Sequence, residues 1–331
     1  MDTQRKIGPF RVNPVGLGCM NVSFGYGSVS ESQAVSLLQH AFDIGCDFFD
    51  TATMYGGGEN EKLIAKALAA QRKKIVLASK CGLDPNGIDG RPATLTDQCH
   101  ASLKRLQTDV IDLYYLHRVD PQVPISESVG ALQRLVDEGK IRTIGLSEIC
   151  TENLLSALAE APIAAVQSEY SLWSRTPECG ILEACEKNDV TFVPFSPLGR
   201  GFLAGSASEL ALLGEKDLRR TIAHPRFEGK NYEHNCNLLK EFTETAKGLN
   251  CTPAQLALAW LLQRQNKTMV PIPGTTNTAH MSENFDAAKI DLDDAMVASL
   301  DALINEDTVA GNRYNDARMA DSDSERDRKI A

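Results

Sequence analysis

The sequence predicts an α/β protein folded as a (β/α)8 TIM barrel with a long loop after strand 7 and a C-terminal extension. Three observations predict this fold. Eight short runs of apolar, β-branched or aromatic residues alternate with segments of helical period. Near-continuous apolar strands are typical of a parallel sheet covered by helices. Eight strand–helix units are the number that closes such a barrel, so we expect a single domain over residues 1–331.

The eight predicted strands follow one another at a spacing of about one strand–helix unit until the seventh. In chain order they are VGLGC (15–19), CDFFDTA (46–52), IVLASK (75–80), IDLYYLH (111–117), IRTIGLS (141–147), AAVQSEY (164–170), VTFVPFS (190–196) and TMVPIPG (268–274). The segments between them have apolar residues at i, i+3, i+4 and i+7, which predicts crossover helices. These segments include ESQAVSLLQHAFDIG, ENEKLIAKALAA, LTDQCHASLKRL, ISESVGALQRLVDEGK and TPAQLALAWLLQR.

Two stretches depart from the repeating unit. About seventy residues separate Ser196 from Thr268, which is more than one crossover helix needs. We therefore expect an excursion over the barrel mouth, from about LGRGFLAGS through HPRFEGKN, before a helix that begins near Asn235. The tail over 311–331 is charged and poor in apolar residues, so we expect it to be partly disordered. An open doubly wound sheet is the alternative fold, but no Gly-x-Gly-x-x-Gly fingerprint is present.

Charge and composition exclude several classes of partner. The chain has 34 basic and 44 acidic residues and a net charge of −10, the wrong sign for binding a nucleic acid backbone or an anionic membrane surface. Its nine cysteines form no Cys-x-x-Cys pair, so we interpret them as reduced thiols of a cytoplasmic protein. No signal peptide or membrane span is evident. We expect a small-molecule partner, no nucleic acid and no membrane, and leave the oligomeric state open.

The residues that end three adjacent predicted strands are unusually polar. In a TIM barrel the C-terminal ends of the strands carry the chemistry. Asp50 ends the second strand and leads to Tyr55, Lys80 ends the third, and His117 ends the fourth. Each residue alone has a structural explanation: a helix cap for Asp50, a loop aromatic for Tyr55, a snorkelling side chain for Lys80 and a satisfied core histidine for His117. It is improbable that all four of these explanations hold at once at neighbouring strand ends. No His, Cys and carboxylate cluster has metal spacing, which argues against a metal-dependent isomerase barrel.

These four residues and the segments around them resemble the aldo-keto reductase superfamily, whose Asp, Tyr, Lys and His tetrad falls on these strand ends in this order. The segments GCDFFDTATMYGGGENEKLIAKAL, IDLYYLHRVDP, GKIRTIGLSE and PIPGTT are similar to the family motifs at strands 2, 4, 5 and 8. The resemblance covers nearly the whole chain. VQSEYSLWSR and VPFSPLGRGFL make it most similar to the bacterial branch related to potassium channel β subunits and pyridoxal reductases.

The resemblance implies an NAD(P)-dependent oxidoreductase that interconverts an aldehyde or ketone and its alcohol, with Tyr55 as general acid. A phenol with a pKa near ~10 is a weak acid unless its conjugate base is stabilised. We expect Lys80 to lower the pKa of Tyr55, and Asp50 to keep Lys80 charged. His117 would hydrogen-bond to the substrate oxygen. Hydride must come from a cofactor, because no side chain supplies it. A sugar, a pyridoxal-like compound or a small aldehyde suits this chemistry.

The resemblance also implies a cofactor site, with NADP(H) expected ahead of NAD(H). Ser147, Glu148 and Gln167 would hold the nicotinamide carboxamide, and Phe195 would stack on the ring. Glu148 departs from the Asn of many members, and GTTNTAH (274–280) lacks the Lys or Arg that many relatives have there. The pyrophosphate, the 2′-phosphate and the adenine would contact Ser196, Leu198, Gly199, Arg200, Gly274, Thr275, Thr276, Glu283 and Asn284.

The substrate contacts are less readable. The residues expected to line the mouth are Met20, Phe24, Tyr26 and Trp173, with Arg200, Phe227, Arg313 and Tyr314 as further candidates. Helix packing explains Trp173 equally well. Two alternative functions stay open. One is a cofactor-binding regulatory subunit with little turnover, which the intact tetrad disfavours, and the other is an NAD-dependent sugar dehydrogenase of the same fold. The physiological substrate and the favoured reaction direction also stay open.

Overall fold

Eleven strands form three sheets in the part of the chain that the computed structural model describes, residues 4–27, 29–205, 213–215, 217–264, 268–320 and 322–329. The strands are β1 (Arg5–Ile7), β2 (Phe10–Val12), β3 (Leu17–Gly18), β4 (Phe48–Asp50), β5 (Val76–Cys81), β6 (Leu83–Asp84), β7 (Gly87–Ile88), β8 (Ile111–Leu116), β9 (Ile141–Ser147), β10 (Ile163–Glu169) and β11 (Thr191–Phe195). The barrel wall is a parallel sheet in the order β3, β4, β5, β8, β9, β10, β11. The pairs β1–β2 and β6–β7 are antiparallel hairpins.

The segment 268–274 closes the barrel between β11 and β3 without forming a regular strand. The amides of Val270 and Ile272 donate to carbonyl oxygens of β11 at 3.1 and 3.0 Å. The Pro271 carbonyl oxygen accepts from the Gly16 amide, just before β3, at 3.0 Å. The Pro273 carbonyl oxygen accepts from the Gly18 amide, in β3, at 3.3 Å. Because proline has no N–H, each of these prolines removes a bond that a complete parallel ladder would contain. The eighth predicted strand therefore lies at the expected place with an incomplete ladder.

Helices cover the outside of the barrel. They are α1 (Glu31–Asp43), α2 (Glu59–Leu68), α3 (Pro92–Leu106), α4 (Ile125–Asp137), α5 (Thr151–Glu160), α6 (Ile181–Lys187), α7 (Gly229–Gly248), α8 (Pro253–Gln263), α9 (Thr278–Asp286), α10 (Asp294–Leu303) and α11 (Asp316–Ala320), and the short 3-10 helices include Cys19–Val22, Tyr55–Gly58, Gly199–Gly201 and Asp323–Lys329. Their apolar stripes, such as Leu132 and Leu135 of α4, are buried against the sheet. Each such side chain contributes about 1.5–3 kcal/mol on leaving water. Among the described residues, no helix is long and apolar enough to cross a membrane.

The hairpin β1–β2 closes the bottom of the barrel and was not among the predicted strands. Ile7 and Val12 are fully buried in the inner core, together with Val76 and Ala164 near the starts of β5 and β10. The hairpin therefore lies at the end opposite to the polar strand ends. Its two strands have three residues each, which is too short for an alternating pattern to be read from sequence.

The long loop after β11 crosses the barrel mouth, as expected. The Leu218 amide donates to the Gly25 carbonyl oxygen at 3.1 Å, and the Arg219 guanidinium lies 5.4 Å from the centroid of the Tyr26 ring. The loop thereby contacts the segment that follows β3. The helix after it, α7, begins earlier than the start that we expected near Asn235. Residues 206–212 and 216 of the loop lie outside the described residues.

The tail over 311–331, which we expected to be partly disordered, contains two short helices among its described residues. Its described residues form α11 and a 3-10 helix that packs on the start of α5. Asp323 accepts from the Cys150 amide at 2.9 Å, and Asp327 accepts from the Thr151 amide at 3.0 Å and from its hydroxyl at 2.9 Å. These carboxylates satisfy helix N-terminal donors and oppose the positive end of the helix dipole. Composition alone does not reveal such contacts. Residues 321, 330 and 331 lie outside the described part.

Candidate active site

Three neighbouring strands bring four polar side chains together at the C-terminal end of the barrel. Asp50 ends β4 and Lys80 lies near the end of β5, and the two form a fully buried ion pair. The Lys80 Nζ also donates to the Thr51 carbonyl oxygen at 2.9 Å and to the Tyr55 hydroxyl at 3.3 Å. His117 follows β8 directly, and its ring lies edge-on to the Tyr55 ring with centroids 6.0 Å apart. The four residues that the sequence singled out are therefore neighbours.

Three glycines turn the chain immediately after Tyr55. Gly56, Gly57 and Gly58 have φ values of 59, 63 and 93°, in the left-handed region that favours glycine. A Cβ at Gly58 would also lie 2.6 Å from the Arg105 side chain. Only a residue without a side chain fits this turn. The turn carries the chain from the Tyr55 loop directly into α2.

Burial and the Asp50–Lys80 pair set the protonation states of the site. Burial alone would lower the pKa of Lys80, but Asp50 and Tyr55 together outweigh burial and raise that pKa. Burial raises the pKa of Tyr55, and the Lys80 ammonium opposes the increase. We expected Lys80 to lower the pKa of Tyr55, and its effect has that sign, but burial is the larger cause. Lys80 is therefore charged at neutral pH, and Tyr55 keeps its proton.

His117 is a neutral imidazole. Burial lowers its pKa well below the usual value, and the charges of Arg118 and Lys80 lower it further. Its Nδ1 is buried and has no hydrogen-bond partner among the described residues. Leaving such an atom unpaired costs about 1–3 kcal/mol. A neutral ring can donate from one nitrogen and accept at the other, so His117 can bind an oxygen that enters from the mouth.

Two residues expected at the nicotinamide carboxamide border the tetrad. Gln167 of β10 donates from its Nε2 to Asp50 Oδ2 at 2.8 Å. Ser147, the buried last residue of β9, accepts a hydrogen bond from Arg118 Nη1 at 3.3 Å. A Gln amide has further donor and acceptor capacity, so this bond does not exhaust it. Phe195, the last residue of β11, is partly buried against the inner core.

Glu148 lies in a different environment from the one we expected. Its buried Oε1 accepts from the Glu169 amide at 3.0 Å, and its Oε2 accepts from Arg313 Nη2 at 2.6 Å and from the Ser324 hydroxyl at 3.0 Å. Burial alone would raise the pKa of Glu148, but Arg313 and Arg118 hold it at about 2. The carboxylate is therefore ionised and engaged with the C-terminal tail, whereas we expected it to be available to a nicotinamide carboxamide.

The loop 196–201 lies directly after β11, where the pyrophosphate was expected. Ser196 and Gly199 have φ values of 48 and 56°, and the Gly199 amide donates to the Ser196 carbonyl oxygen at 2.9 Å, which makes a tight turn. A Cβ at Gly199 would lie 2.7 Å from the Trp173 ring, so the glycine allows the loop to pack on the indole. Leu198 is partly buried against the outer core.

Arg200 belongs to a buried network instead of standing free beside a phosphate. Its Nη2 donates to Glu169 Oε2 at 2.7 Å and its Nη1 to the Arg313 carbonyl oxygen at 3.1 Å. Its guanidinium also lies 4.7 Å from the centroid of the Tyr314 ring. The expected counter-charge for the pyrophosphate is thus already paired with a carboxylate of β10. The candidate pair Arg313 and Tyr314 is likewise buried in this network.

The expected adenosine end contains a buried amide nitrogen without a partner. Asn284 of α9 is 2% exposed, and its Nδ2 has no hydrogen-bond partner among the described residues. Glu283 beside it accepts a hydrogen bond from the Thr252 hydroxyl. Buried polar atoms are seldom left unpaired unless a ligand or water satisfies them. An adenine ring nitrogen would accept from Asn284, so the residues fit a dinucleotide at this end.

The segment before α9 is already ordered by its own hydrogen bonds. Thr275 is buried, and its Oγ1 accepts from the Asn277 amide at 3.1 Å. Asn277 caps α9 by accepting from the amides of its first turn at 2.8 and 3.3 Å. Gly274 packs closely on Asn21, where a Cβ would lie 2.5 Å from Oδ1, and Thr276 is exposed. Residues 274–280 contain no lysine or arginine.

Three of the expected substrate residues lie at the mouth beside the tetrad. Phe24 stacks on Tyr55 with ring centroids 6.5 Å apart and planes 15° apart. Met20 is partly exposed in the 3-10 helix after β3. Tyr26 is covered by Arg219, and burial raises the pKa of Tyr26 to about 12. Of the three, Phe24 is the residue that lies directly beside Tyr55.

Trp173 lies in the interior, which is the packing role that we left open for it. It is 3% exposed and stacks on Phe202 at a centroid distance of 3.9 Å. Phe227 packs edge-on against it at 5.3 Å and is itself 5% exposed. Trp173 therefore packs against the loop after β11, to which Phe202 and Phe227 belong. They do not present a free surface at the mouth.

Sequence reasoning missed Arg118 and Glu169. Glu169 lies two residues after Gln167 in β10, so strand alternation places it on the same face, and this signal could have identified it. Arg118 directly follows His117 in LHRVDP, and a cation beside a strand-end histidine could have been noted. Both residues bond to expected site residues, Arg118 to Ser147 and Glu169 to Arg200.

Comparison with known proteins agrees with this geometry. The model of the aldo/keto reductase family matches residues 14–305. Probable aldo-keto reductase 1 of Glycine max is 41% identical over 312 residues, which cover 92% of this chain and 89% of the relative. Aldo-keto reductase yakc of Schizosaccharomyces pombe, whose name specifies NADP(+), is 40% identical over 321 residues, 94% of each chain.

Solved structures show the same architecture. The glycerol dehydrogenase AKR11B4 from Gluconobacter oxydans has a TM-score of 0.83 and 28% identity, covering 92% of this chain and 95% of that one. An aldo-keto reductase from Klebsiella pneumoniae in complex with NADPH has a TM-score of 0.73 and 27% identity, covering 94% and 99%. The predicted (β/α)8 barrel is confirmed. The predicted NAD(P)-dependent oxidoreductase acting on carbonyl and alcohol groups is confirmed too, because this chain belongs to the aldo/keto reductase family.

Proposed function

We propose that this protein catalyses the NADP(H)-dependent reduction of an aldehyde or ketone, or the reverse oxidation, with Tyr55 as the general acid. The observation that carries the proposal is the 3.3 Å contact between the Tyr55 hydroxyl and Lys80 Nζ, beside the neutral ring of His117. The nicotinamide cofactor, when bound, supplies the hydride. The side chains then have to deliver and hold one proton at the substrate oxygen.

Tyr55 is suited to deliver that proton. Its raised pKa keeps it protonated at neutral pH, and the Lys80 ammonium stabilises the phenolate that proton transfer leaves behind. Asp50 keeps Lys80 charged and directs its Nζ toward the phenol. His117, being neutral, can donate a hydrogen bond to the substrate oxygen without protonating it. In the oxidation direction Tyr55 takes the proton back.

NADP(H) is the cofactor that we propose. The relative yakc is named for NADP(+), and the Klebsiella pneumoniae neighbour contains NADPH. In this chain the unpaired Asn284 amide would hold the adenine. Residues 274–280 contain no lysine or arginine, so the 2′-phosphate would be held by neutral donors. A relative with a cation in this segment would gain ~1.5–3 kcal/mol from a charge-assisted contact to the 2′-phosphate, and this chain lacks that contact. We therefore expect a weaker preference for NADPH over NADH than such a relative would show, of about tenfold to a hundredfold.

The two alternative functions make different demands on the site. A regulatory subunit with little turnover needs the cofactor pocket but has no use for a buried Asp50–Lys80 pair in contact with Tyr55. An NAD-dependent sugar dehydrogenase would use the same tetrad and differ in cofactor and direction. The Gluconobacter oxydans neighbour, a glycerol dehydrogenase, makes alcohol oxidation worth including in the assay.

The test is a panel of carbonyl compounds and alcohols with both cofactors. Sugars, pyridoxal, methylglyoxal, aryl aldehydes and glycerol would be ranked by kcat/KM with NADP(H) and with NAD(H). The proposal predicts turnover of at least one aldehyde with NADPH above the rate with NADH. Absence of turnover across the panel, despite tight NADPH binding, would favour the regulatory subunit. Faster alcohol oxidation with NAD than with NADP would favour the sugar dehydrogenase.

A further inference from the structure

Arg118 at the active-site mouth forms no ion pair with a described carboxylate, although its charge reaches the buried Glu148 and helps to lower the pKa of that carboxyl. Arg118 is partly exposed, and its Nη1 donates to the His117 carbonyl oxygen at 2.6 Å and to the Ser147 hydroxyl at 3.3 Å. Within the described ranges no carboxylate forms an ion pair with it. Its Nε and Nη2 have no hydrogen-bond partner in the described residues, and neither atom is fully buried. One edge of the guanidinium is thus open to solvent.

Four other cations around the mouth are paired with carboxylates. Arg200 is paired with Glu169, Lys80 with Asp50, and Arg313 with both Glu148 and Glu325. Arg219 in the loop that covers the mouth is paired with Asp217. Arg118 differs from all of these. An ion pair would fix the other arginines in place, whereas Arg118 is anchored by one nitrogen and keeps a free planar edge.

Arg118 acts on the two groups that meet the substrate oxygen. Its charge helps to lower the pKa of His117, and it opposes the effect of burial on the pKa of Tyr55. A molecule whose carbonyl reaches Tyr55 therefore lies in the field of the guanidinium. Such a cation in a cleft concentrates anions, and its planar edge matches a carboxylate or phosphate. The nicotinamide ring carries no anionic group, so the cofactor does not supply the partner at this end.

We propose that Arg118 binds an anionic group of the substrate, so that the enzyme prefers carbonyl compounds bearing a carboxylate or a phosphate over neutral ones. This inference rests on the proposed function and names its substrate class. The carbonyl oxygen would bind at Tyr55 and His117, and the anionic group would bind the open edge of Arg118. The charge of the substrate would then decide which compound is selected. The aromatic side chains of Phe24 and Tyr26 do not by themselves distinguish a charged substrate from a neutral one.

The test compares pairs of aldehydes that differ in charge but little in shape. The wild-type enzyme should reduce 4-formylbenzoate with a kcat/KM at least tenfold above that for 4-formylbenzamide, and Arg118→Met should abolish the difference. Tenfold to a hundredfold is the range that a charge-assisted hydrogen bond supplies. Glyceraldehyde 3-phosphate and glyceraldehyde form a second pair, which distinguishes a phosphate from a carboxylate. A wild-type enzyme without preference in either pair would overturn the proposal.

Two matched variants separate charge recognition from structure. Arg142→Met removes one positive charge near the start of β9, at the opposite end of the barrel, and should leave the preference unchanged. Arg118→Lys keeps the charge without the planar edge and should retain part of the preference. Because Arg118 also bonds to Ser147 and to the His117 backbone, an equal loss of kcat/KM for acid and amide would mean a structural role and would refute the proposal.

Binding of benzoate to the NADP+ complex tests Arg118 without turnover. Calorimetry should show benzoate binding at least tenfold more weakly to Arg118→Met than to the wild type, with benzamide unaffected. If the wild-type enzyme reduced neither aldehyde, the proposed function would fail, but this measurement would still decide whether Arg118 is an anion site. Equal benzoate affinity in the two proteins would contradict it.

Discussion

At the scale of single residues, the chemistry depends on a buried cation. Lys80 is fully buried, where an unpaired ammonium would lose its proton. Asp50 prevents this by forming an ion pair, and Gln167 holds the second oxygen of Asp50 at 2.8 Å. Tyr55 completes the group at 3.3 Å from Lys80. The phenol thus meets a fixed positive charge that needs no reorganisation during proton transfer.

The first prediction concerns this charge. Lys80→Met removes the ammonium that stabilises the phenolate, so kcat for carbonyl reduction should fall by about 100-fold or more, by analogy with the loss of one electrostatic donor. Asp50→Asn should cause a smaller loss, because it only weakens the hold on Lys80. Stopped-flow measurement of NADPH oxidation checks both variants. If Lys80→Met matched the wild-type rate from pH 6 to 9, Lys80 would have a purely structural role.

The second prediction concerns pH. Carbonyl reduction needs Tyr55 protonated, and burial raises its pKa, so the acid form persists throughout the neutral range. The lowered pKa of His117 keeps the imidazole neutral over the same range. Hence kcat for the chemical step should be nearly constant from pH 6 to 9 and fall only at higher pH, as Tyr55 loses its proton. A decline that begins near pH 7 would mean that Tyr55 has a lowered pKa, as the sequence alone suggested.

At the scale of elements, the C-terminal tail is part of the barrel mouth. Arg313 donates to Glu148 at 2.6 Å and to Glu325 at 2.7 Å, and its carbonyl oxygen accepts from Arg200 at 3.1 Å. The tail therefore joins the end of β9 to the loop after β11. Asp323 anchors it further along by binding the start of α5. Movement of the tail would disturb both sides of the expected nicotinamide site.

The third prediction tests this connection. Arg313→Met removes the arginine bonded to the buried Glu148 and leaves Glu325 only a longer contact with Arg328 at 3.7 Å, which should lower the free energy of unfolding by about 3–5 kcal/mol at pH 8. Urea titration measures the loss. Arg326→Met, on the exposed side of the same 3-10 helix, is the matched control and should change stability by less than about 0.5 kcal/mol. A loss no larger than that of the control would show that the tail is not held by Arg313.

The stability loss caused by Arg313→Met should depend on pH, and the sign of this dependence follows from the ionisation of Glu148. In the wild type Arg313 helps to hold the pKa of Glu148 at about 2, below the pKa of ~4.3 that a glutamate has in the unfolded chain. The ionised Glu148 therefore contributes its full stabilisation above pH ~4.3, and this contribution is lost as the pH falls toward the folded-state pKa. Without Arg313, burial raises that pKa, and protonation at lower pH removes the unpaired charge. The difference in stability between Arg313→Met and the wild type should therefore shrink from pH 8 to pH 5.5. A constant difference would contradict this account.

The elements show why some of the structure could be read from sequence and some could not. Buried strands and amphipathic helices have periods that are visible locally, so the barrel wall could be predicted, and the four polar residues singled out at its strand ends lie next to one another. The partners of Glu148 and Arg200 lie far along the chain, and no local pattern reveals that Arg313 bonds to Glu148. The hairpin β1–β2 was missed because its strands are too short to show a period.

At the scale of the whole molecule, the expected cofactor site connects distant parts of the barrel. One end lies at the tetrad on β4, β5 and β8, and the other lies at Asn284 on α9. The loop 196–201 lies between β11 and the tail. A dinucleotide that spans these parts would bind only the folded chain. Its binding free energy would then add to the stability of the whole barrel.

The fourth prediction uses that linkage to compare cofactors. NADPH at a hundred times its Kd should raise the free energy of unfolding by about 2.7 kcal/mol. NADH at the same concentration, with tenfold to hundredfold weaker affinity, should raise it by about 0.4 to 1.4 kcal/mol. Thermal unfolding and Trp fluorescence quenching give both values. A preference above ~1,000-fold would require a cation from outside 274–280, and stronger stabilisation by NADH would reverse the proposed cofactor choice.

The central claim is that Tyr55 protonates the substrate oxygen, and Tyr55→Phe tests it most directly. The variant keeps the ring that stacks on Phe24 and loses only the hydroxyl in contact with Lys80. Single-turnover reduction of the best carbonyl substrate with bound NADPH should slow by ~100-fold or more, with the Kd for NADPH unchanged. A rate within a few-fold of the wild type would contradict the claim, because another group would then have to supply the proton.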